Sequence, residues 1–147
     1  MIIDSHCHLT YEPMSSSLEE TIKRANKDGV EFLLTISTED KSFRNILDIL
    51  DKYKCVYGSY GIHPHEAKQH KGIKFENIIE KVKQNKKIIG IGETGLDFYY
   101  NHSEKKDQIE SFLEHIEASQ KTNLPIIVHT RSAEGETFEI LQKAVKK

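Results

Sequence analysis

Cysteine is scarce: only Cys7 and Cys55 occur among 147 residues. Two widely separated thiols in apolar surroundings cannot form the disulfide framework of a small secreted domain, and both read as buried thiols of a reducing compartment. No apolar run approaches the roughly 20 residues a membrane helix needs. The chain opens on Met1, Ile2, Ile3 and Asp4 without a basic leader, so a cytoplasmic location and no membrane partner are expected. Charge of one sign is also missing. Lysine and arginine total 21 against 23 acidic residues, a net charge of −2. That balance excludes a broad basic field, and a nucleic-acid partner would have to be held locally. Low-complexity tracts, linkers and repeats beyond the alternation described next are absent, so residues 1–147 read as one unit.

What is present is an alternation of short apolar runs with longer amphipathic ones. Five runs read as strands: MIIDSHCHL, EFLLTIS from Glu31, CVYGSYGIHPH from Cys55, KIIGIGETGLD from Lys87 and LPIIVHTR from Leu124. Between them, Leu18, Ile22 and Ala25 predict a first helix, Phe43, Ile46, Leu47 and Leu50 a second, and Phe75, Ile78, Ile79 and Val82 a third. Ile109, Phe112, Leu113 and Ile116 mark a fourth, and a fifth runs from about Glu134 through Phe138, Leu141 and Val145 to the C-terminus. Gly29 suits the stop of the first helix, and Pro125 the start of a strand. Five βα units follow, an α/β chain whose strands are apolar on both faces, as parallel strands under helices are. Doubly wound and barrel architectures both fit this pattern.

The polar residues gather where four of the strands end: His6 and His8, His63 and His65, Glu93 and Asp97, His129 and Arg131. In a barrel those ends form one face, the face that carries active sites. Strand alternation turns His6 and His8 the same way, with Asp4 on their side and Cys7 opposite. It likewise aligns Ile89, Ile91 and Glu93, and Ile127, His129 and Arg131. Each residue also has a plain structural reading. A His-x-His pair at a strand end is more often solvated than metallated; Glu93 could be an acid in a glycine-rich turn; His129 could be a core histidine bonded to a carbonyl. His65, after Pro64, is equally a loop residue or a support for the site, while His70, His102 and His115 are assigned to solvated surface. The combination carries more than its parts. Imidazoles and a carboxylate brought from three strands to one face supply the mixed nitrogen and oxygen ligation that suits a divalent metal, and a carboxylate can bridge two ions.

The motifs DSHCHL, YGIHPHEA from Tyr60, IGETGLDFYY from Ile91 and LPIIVHTRSA from Leu124 together resemble the successive motifs of the TatD-type metal-dependent deoxyribonucleases, a branch of the amidohydrolase-like barrels. The resemblance implies a (β/α)8 TIM barrel of which this chain covers about the first five units. It implies hydrolysis of DNA phosphodiester bonds with up to two divalent metal ions (Mg, Mn or Zn), often as a 3′-to-5′ exonuclease. By position, His6 and His8 match histidines of the first metal, Glu93 the bridging carboxylate and His129 a ligand of the second. His63 matches a histidine near the scissile phosphate, for phosphate contact or proton transfer to the leaving group. Arg131 is a candidate phosphate contact, with a salt bridge at the barrel rim as the alternative, and Asp97 is assigned to structure.

The family pattern continues through three further βα units, with another histidine ligand and a late aspartate, beyond Lys147. The resemblance therefore implies a first site of His6, His8 and Glu93 and a second of Glu93 and His129, each short of a ligand. A five-strand portion also leaves two strand edges and an apolar axial face uncovered, and self-association is expected. Two other readings compete with the nuclease: a small-molecule amidohydrolase or phosphoesterase of the same superfamily, and a catalytically silent metal-binding fragment. Phe98, Tyr99 and Tyr100 favour a nucleic-acid groove because bases stack on exposed rings, or else they pack where the helix begins.

Overall fold

In a computed structural model that describes residues 1–145, the five apolar runs form five parallel strands. They are β1 (Ile2–Cys7), β2 (Val30–Thr35), β3 (Val56–Tyr60), β4 (Ile88–Asp97) and β5 (Ile126–Arg131). The five helices are α1 (Leu18–Lys27), α2 (Asp40–Lys52), α3 (Phe75–Val82), α4 (Lys105–Thr122) and α5 (Glu134–Val145). A short 3₁₀ helix, Pro64–His70, follows β3. The end of the chain expected to continue the last helix lies outside the described residues.

Strand order in the sheet is the order in sequence, β1-β2-β3-β4-β5. A doubly wound sheet reverses its order at a switch point; a barrel does not. The open choice thus resolves to a half-barrel with its helices outside and all strand ends of one kind on one rim. Each helix lays its apolar stripe on the sheet. Ile22, Phe43, Ile46, Leu50, Ile78 and Val82 join Val56, Ile88 and Ile91 in one buried cluster, and Leu96, Phe112, Ile116 and Ala133 form a second. Gly29, at φ +91°, ends α1 as expected. Among the described residues no helix is long and apolar enough to cross a membrane.

Several expectations need correction. Strict alternation fails along β4: Ile91 is fully buried, while Ile89 is 39% exposed and lines a shallow apolar groove with Ile3, Phe32 and Tyr57. The pairing register shifts between Gly58 and Ser59 on β3 and between Ile91 and Thr94 on β4, and each shift rotates the residues that follow. The strands are not covered on both faces, since Ile2 and Ile3 are also exposed on β1. Cys7 is buried, and burial pushes its thiol up to about 12, but Cys55 is only half-buried.

The buried face of α4 is rotated from the expected stripe. Leu113 is exposed, whereas Gln108, Ser111 and His115 are buried alongside Phe112 and Ile116. Likewise Phe138 of α5 is exposed, and the helix packs through Thr137, Ile140, Leu141 and Ala144. Gln108 and His115 on the inner face of α4 serve the backbone of the strand ends. Gln108 accepts from Asp97 N–H at 2.7 Å and donates to Asp97 C=O at 3.0 Å. His115 Nε2 accepts from Ile62 N–H at 3.0 Å, and its Nδ1 donates to Ser111 C=O at 2.7 Å. His115 is therefore a neutral core residue rather than a surface one.

Burial depresses the imidazole of His115 from about 6.5 to about 4. Between those two values the unfolded chain binds a proton that the folded chain excludes, so this histidine contributes stability above pH 6.5 that is lost progressively as pH falls toward 4. The urea midpoint should drop over that interval. His115→Leu should cost about 1–3 kcal/mol at neutral pH, through the unpaired Ile62 N–H, and should remove about one group's share of the slope. An unchanged slope in this variant would contradict the assignment.

Candidate metal centre

The rim is assembled by close backbone approach. β4 crosses it with glycines at φ +138° (Gly92) and +139° (Gly95). A Cβ on Gly95 would stand 2.0 Å from the carbonyl oxygen of His129, and one on Gly92 would stand 2.4 Å from that of Ile127, so only glycine lets β4 and β5 meet here. Hydrogen bonds then fix the height of each side chain. Glu93 N–H donates to Ser37 C=O at 2.8 Å, Ser59 Oγ to Gly92 C=O at 2.6 Å, and His63 N–H to Thr38 C=O at 2.8 Å.

Glu93 sits at the centre, with 9% of its surface exposed. Its Oε2 lies 3.5 Å from His6 Nε2 and 4.0 Å from His8 Nε2. Its Oε1 lies 3.1 Å from His129 Nδ1, which in turn is 3.2 Å from His63 Nε2. One carboxylate thus faces an imidazole pair with each oxygen. Ligand atoms about 2.1 Å from a shared cation stand roughly 3–3.5 Å apart; the His6, His129 and His63 contacts fall near that range, and His8 stands farther off at 4.0 Å. Two groups, His6/His8/Glu93 and His63/Glu93/His129, each keep their ligand atoms within 4.8 Å of one another. The first group offers three ligands for a divalent cation, and the second offers at least Glu93 and His129.

Charge follows position. Burial pushes His8 down, and burial with His129 beside it pushes His63 down to about 4, so both are neutral near pH 7. His129 is raised by its hydrogen bond to Glu93 and further by Asp97. Burial opposes ionisation of Glu93, but the His129 hydrogen bond and the surrounding imidazoles outweigh it and hold the carboxyl below its usual range.

The tautomer of His63 is also set. His65 N–H donates to His63 Nδ1 at 3.2 Å, so the proton of the neutral ring is on Nε2, which faces His129 Nδ1 at 3.2 Å in the cavity wall. Distance alone groups His63 with the ligands, whereas this proton makes it a donor. Asp97 is fully buried and carries a role the sequence reading did not give it: its Oδ2 lies 2.8 Å from His65 Nε2 and 3.1 Å from His129 Nε2. Arg131 stands over the rings of Tyr99 and Tyr100, 4.5 Å from each centroid. The second βα unit, from which no site residue is expected, contributes Thr38 beside Glu39 at the cavity wall. Its Oγ1 meets the Tyr11 hydroxyl at the edge of the cavity, and only the polar run after EFLLTI hints at it. The cavity itself measures about 420 Å³ and is lined by His8, Tyr11, Thr38, His63, His65, Glu93 and His129 among others.

Comparison with known proteins points to one family. The family model described as "TatD related DNase" matches residues 3–147. An uncharacterized metal-dependent hydrolase, BU355, of Buchnera aphidicola from Acyrthosiphon pisum is 38% identical over 150 residues, covering 97% of this chain and 57% of that protein. The mouse protein named putative deoxyribonuclease TATDN3 is 26% identical over 156 residues, covering 97% and 52%. The crystal structure of YjjV, a TatD homologue from Escherichia coli K12, superposes with a TM-score of 0.86 at 25% identity, covering 97% of this chain and 56% of that one. The chain spans about half the length of the relatives it matches. Its half-barrel is correspondingly part of a (β/α)8 fold, and with the family model matched over nearly all its residues, the chain belongs to the TatD-related DNase family.

Proposed function

We propose that this chain carries the metal-binding rim of a divalent-metal-dependent hydrolase that cleaves DNA phosphodiester bonds. The observation that carries the reading is the two-sided environment of Glu93, each of whose oxygens faces its own imidazole pair. His6, His8 and Glu93 would hold one ion, and Glu93 and His129 a second. Divalent cations bound there would polarise a phosphoryl oxygen and make water a nucleophile near neutral pH.

The chain's own residues do the rest. His63, whose neutral ring keeps its proton on Nε2 because the His65 N–H occupies Nδ1, can hydrogen-bond a phosphate oxygen, whereas proton transfer to the leaving oxygen requires its cationic ring. Beside the rim, Tyr99 and Tyr100 are exposed and His102 stacks on Tyr100 at an interplanar angle of 11°. With Arg131 over both tyrosines, these residues form a platform on which bases of a single strand can stack without a basic surface, and Arg131 remains within reach of a phosphate. Removal of nucleotides in the 3′-to-5′ direction is the polarity the family resemblance implies. A small ester or amide substrate is the second reading, favoured by a cavity of about 420 Å³, the size of a small-molecule site.

A labelled oligonucleotide and simple ester and amide substrates, each assayed with Mg²⁺, Mn²⁺ and Zn²⁺, separate these readings. Metal-stimulated loss of the oligonucleotide that falls at least about 100-fold in Glu93→Ala is expected. Turnover of the small substrates alone would favour the second reading. Tight binding of one ion without any turnover would mark this chain as a silent metal-binding fragment.

The 147-residue chain also has a partner in itself. β1 and β5 each have one neighbour among the described residues, and Ile2, Ile3 and Ile89 remain exposed on and near the axial face. Unpaired edges beside apolar surface favour association. Sedimentation velocity at rising concentration should show species heavier than one chain, and a dispersed monomer throughout would contradict this.

A further inference from the structure

Asp97 lies at the end of β4, fully buried, with more hydrogen bonds than a helix-approach acid needs. Gln108 clamps its backbone on both sides, through Asp97 N–H and C=O. Its carboxylate is divided between two kinds of donor. Oδ1 accepts from Tyr99 N–H at 3.1 Å and Tyr100 N–H at 3.0 Å. Oδ2 faces His65 Nε2 at 2.8 Å and His129 Nε2 at 3.1 Å. Because Oδ1 is committed to two backbone donors and the backbone is clamped, the carboxylate has no freedom to turn. A buried carboxylate only accepts, so both imidazoles must present N–H to it.

For His129 this decides which nitrogen can serve as a ligand. The ring has Nε2 toward Asp97 and Nδ1 toward both Glu93 Oε1 at 3.1 Å and the protonated Nε2 of His63 at 3.2 Å. A cationic ring donates to both carboxylates, and once the ring is neutral the His63 N–H calls for a lone pair on Nδ1 and leaves the remaining proton on Nε2. We propose that Asp97 is a positioning residue that fixes His129 in the Nε2–H tautomer, so that the Nδ1 lone pair is presented beside Glu93 as a ligand for a divalent cation. The outer partner of a metal-bound histidine sets both its tautomer and its orientation, and its loss typically weakens metal binding 10- to 100-fold. The same carboxylate accepts from the His65 ring through Nε2, so one buried acid sets the proton positions of two histidines, while His63 is fixed separately by the backbone N–H of His65.

The inference rests on reading the rim as a metal centre, but its first test does not. An asparagine at position 97 is nearly isosteric, yet it must keep its carbonyl oxygen on Tyr99 N–H and Tyr100 N–H and therefore turn its NH₂ toward the two histidines. His129 would then have to accept through Nε2 and carry its proton on Nδ1, the nitrogen beside Glu93. Long-range ¹H–¹⁵N correlation spectra of metal-free protein, at a pH where the imidazoles are neutral, report the tautomer directly. Wild type should show His129 as Nε2–H, and Asp97→Asn as Nδ1–H. The wild-type spectrum alone is decisive if the variant does not fold: an Nδ1–H tautomer there overturns the proposal. So does a folded Asp97→Asn that retains Nε2–H.

Calorimetric titration with Mn²⁺ should then show binding about 10- to 100-fold weaker in folded Asp97→Asn than in wild type. Undiminished Mn²⁺ affinity in a variant with the switched tautomer would overturn the link to ligation. Failure of wild type to bind Mn²⁺ at all would instead refute the metal-centre reading, with the tautomer result standing separately.

Discussion

Everything at the rim depends on Glu93 standing between two pairs of imidazoles, one oxygen to each. A carboxylate so placed is held ionised by its neighbours although burial opposes it. That balance is costly unless positive charge is close; at neutral pH His8 and His63 are neutral, and His129, raised by its hydrogen bond to Glu93, is the neighbour that supplies it. On the proposed reading a divalent cation shared by these donors would take over that role, with Glu93 and the imidazoles already gathered on one rim.

The placement of Glu93 is a backbone achievement before it is a side-chain one. Gly92 and Gly95 let β4 pass within a distance of β5 that no Cβ permits, and Ser37, Ser59 and Thr38 satisfy the polar groups left open by the irregular pairing. Behind the sheet, α4 carries this logic outward. Its inner face spends buried positions on Gln108 and His115, which a purely hydrophobic helix would fill with aliphatic residues, because the ends of β3 and β4 leave backbone groups that only polar side chains can meet. Packing and site are therefore one problem: α4 holds Asp97, Asp97 holds His65 and His129, and His65 holds His63.

Much of this was legible in the sequence. The five βα units follow from periodicity, since apolar runs of strand length alternate with stripes spaced three and four apart. The convergence of His6, His8, Glu93 and His129 follows from their common location at strand ends. What alternation could not give was the local course of β4: register shifts break the period of two, so Ile89 and Ile91 part company. The face of α4 was misjudged because Leu113 and Ile109 outweigh Gln108 and Ser111 on any hydrophobic count, whereas the strand backbone demanded polar partners. His115, among charged neighbours in sequence, is fully buried for that reason. Asp97 was seen but not understood, since its importance lies in which imidazole nitrogens it faces, and no spacing rule carries that information.

The central claim is that Glu93 is shared by donors that gather around a cation. Anomalous diffraction from crystals grown with Mn²⁺ tests it most directly. The account predicts a manganese peak touching Glu93 together with His6 and His8, with any second peak on the opposite oxygen beside His129 Nδ1. Manganese bound elsewhere while the Glu93 carboxylate keeps its direct hydrogen bond to His129 would contradict it.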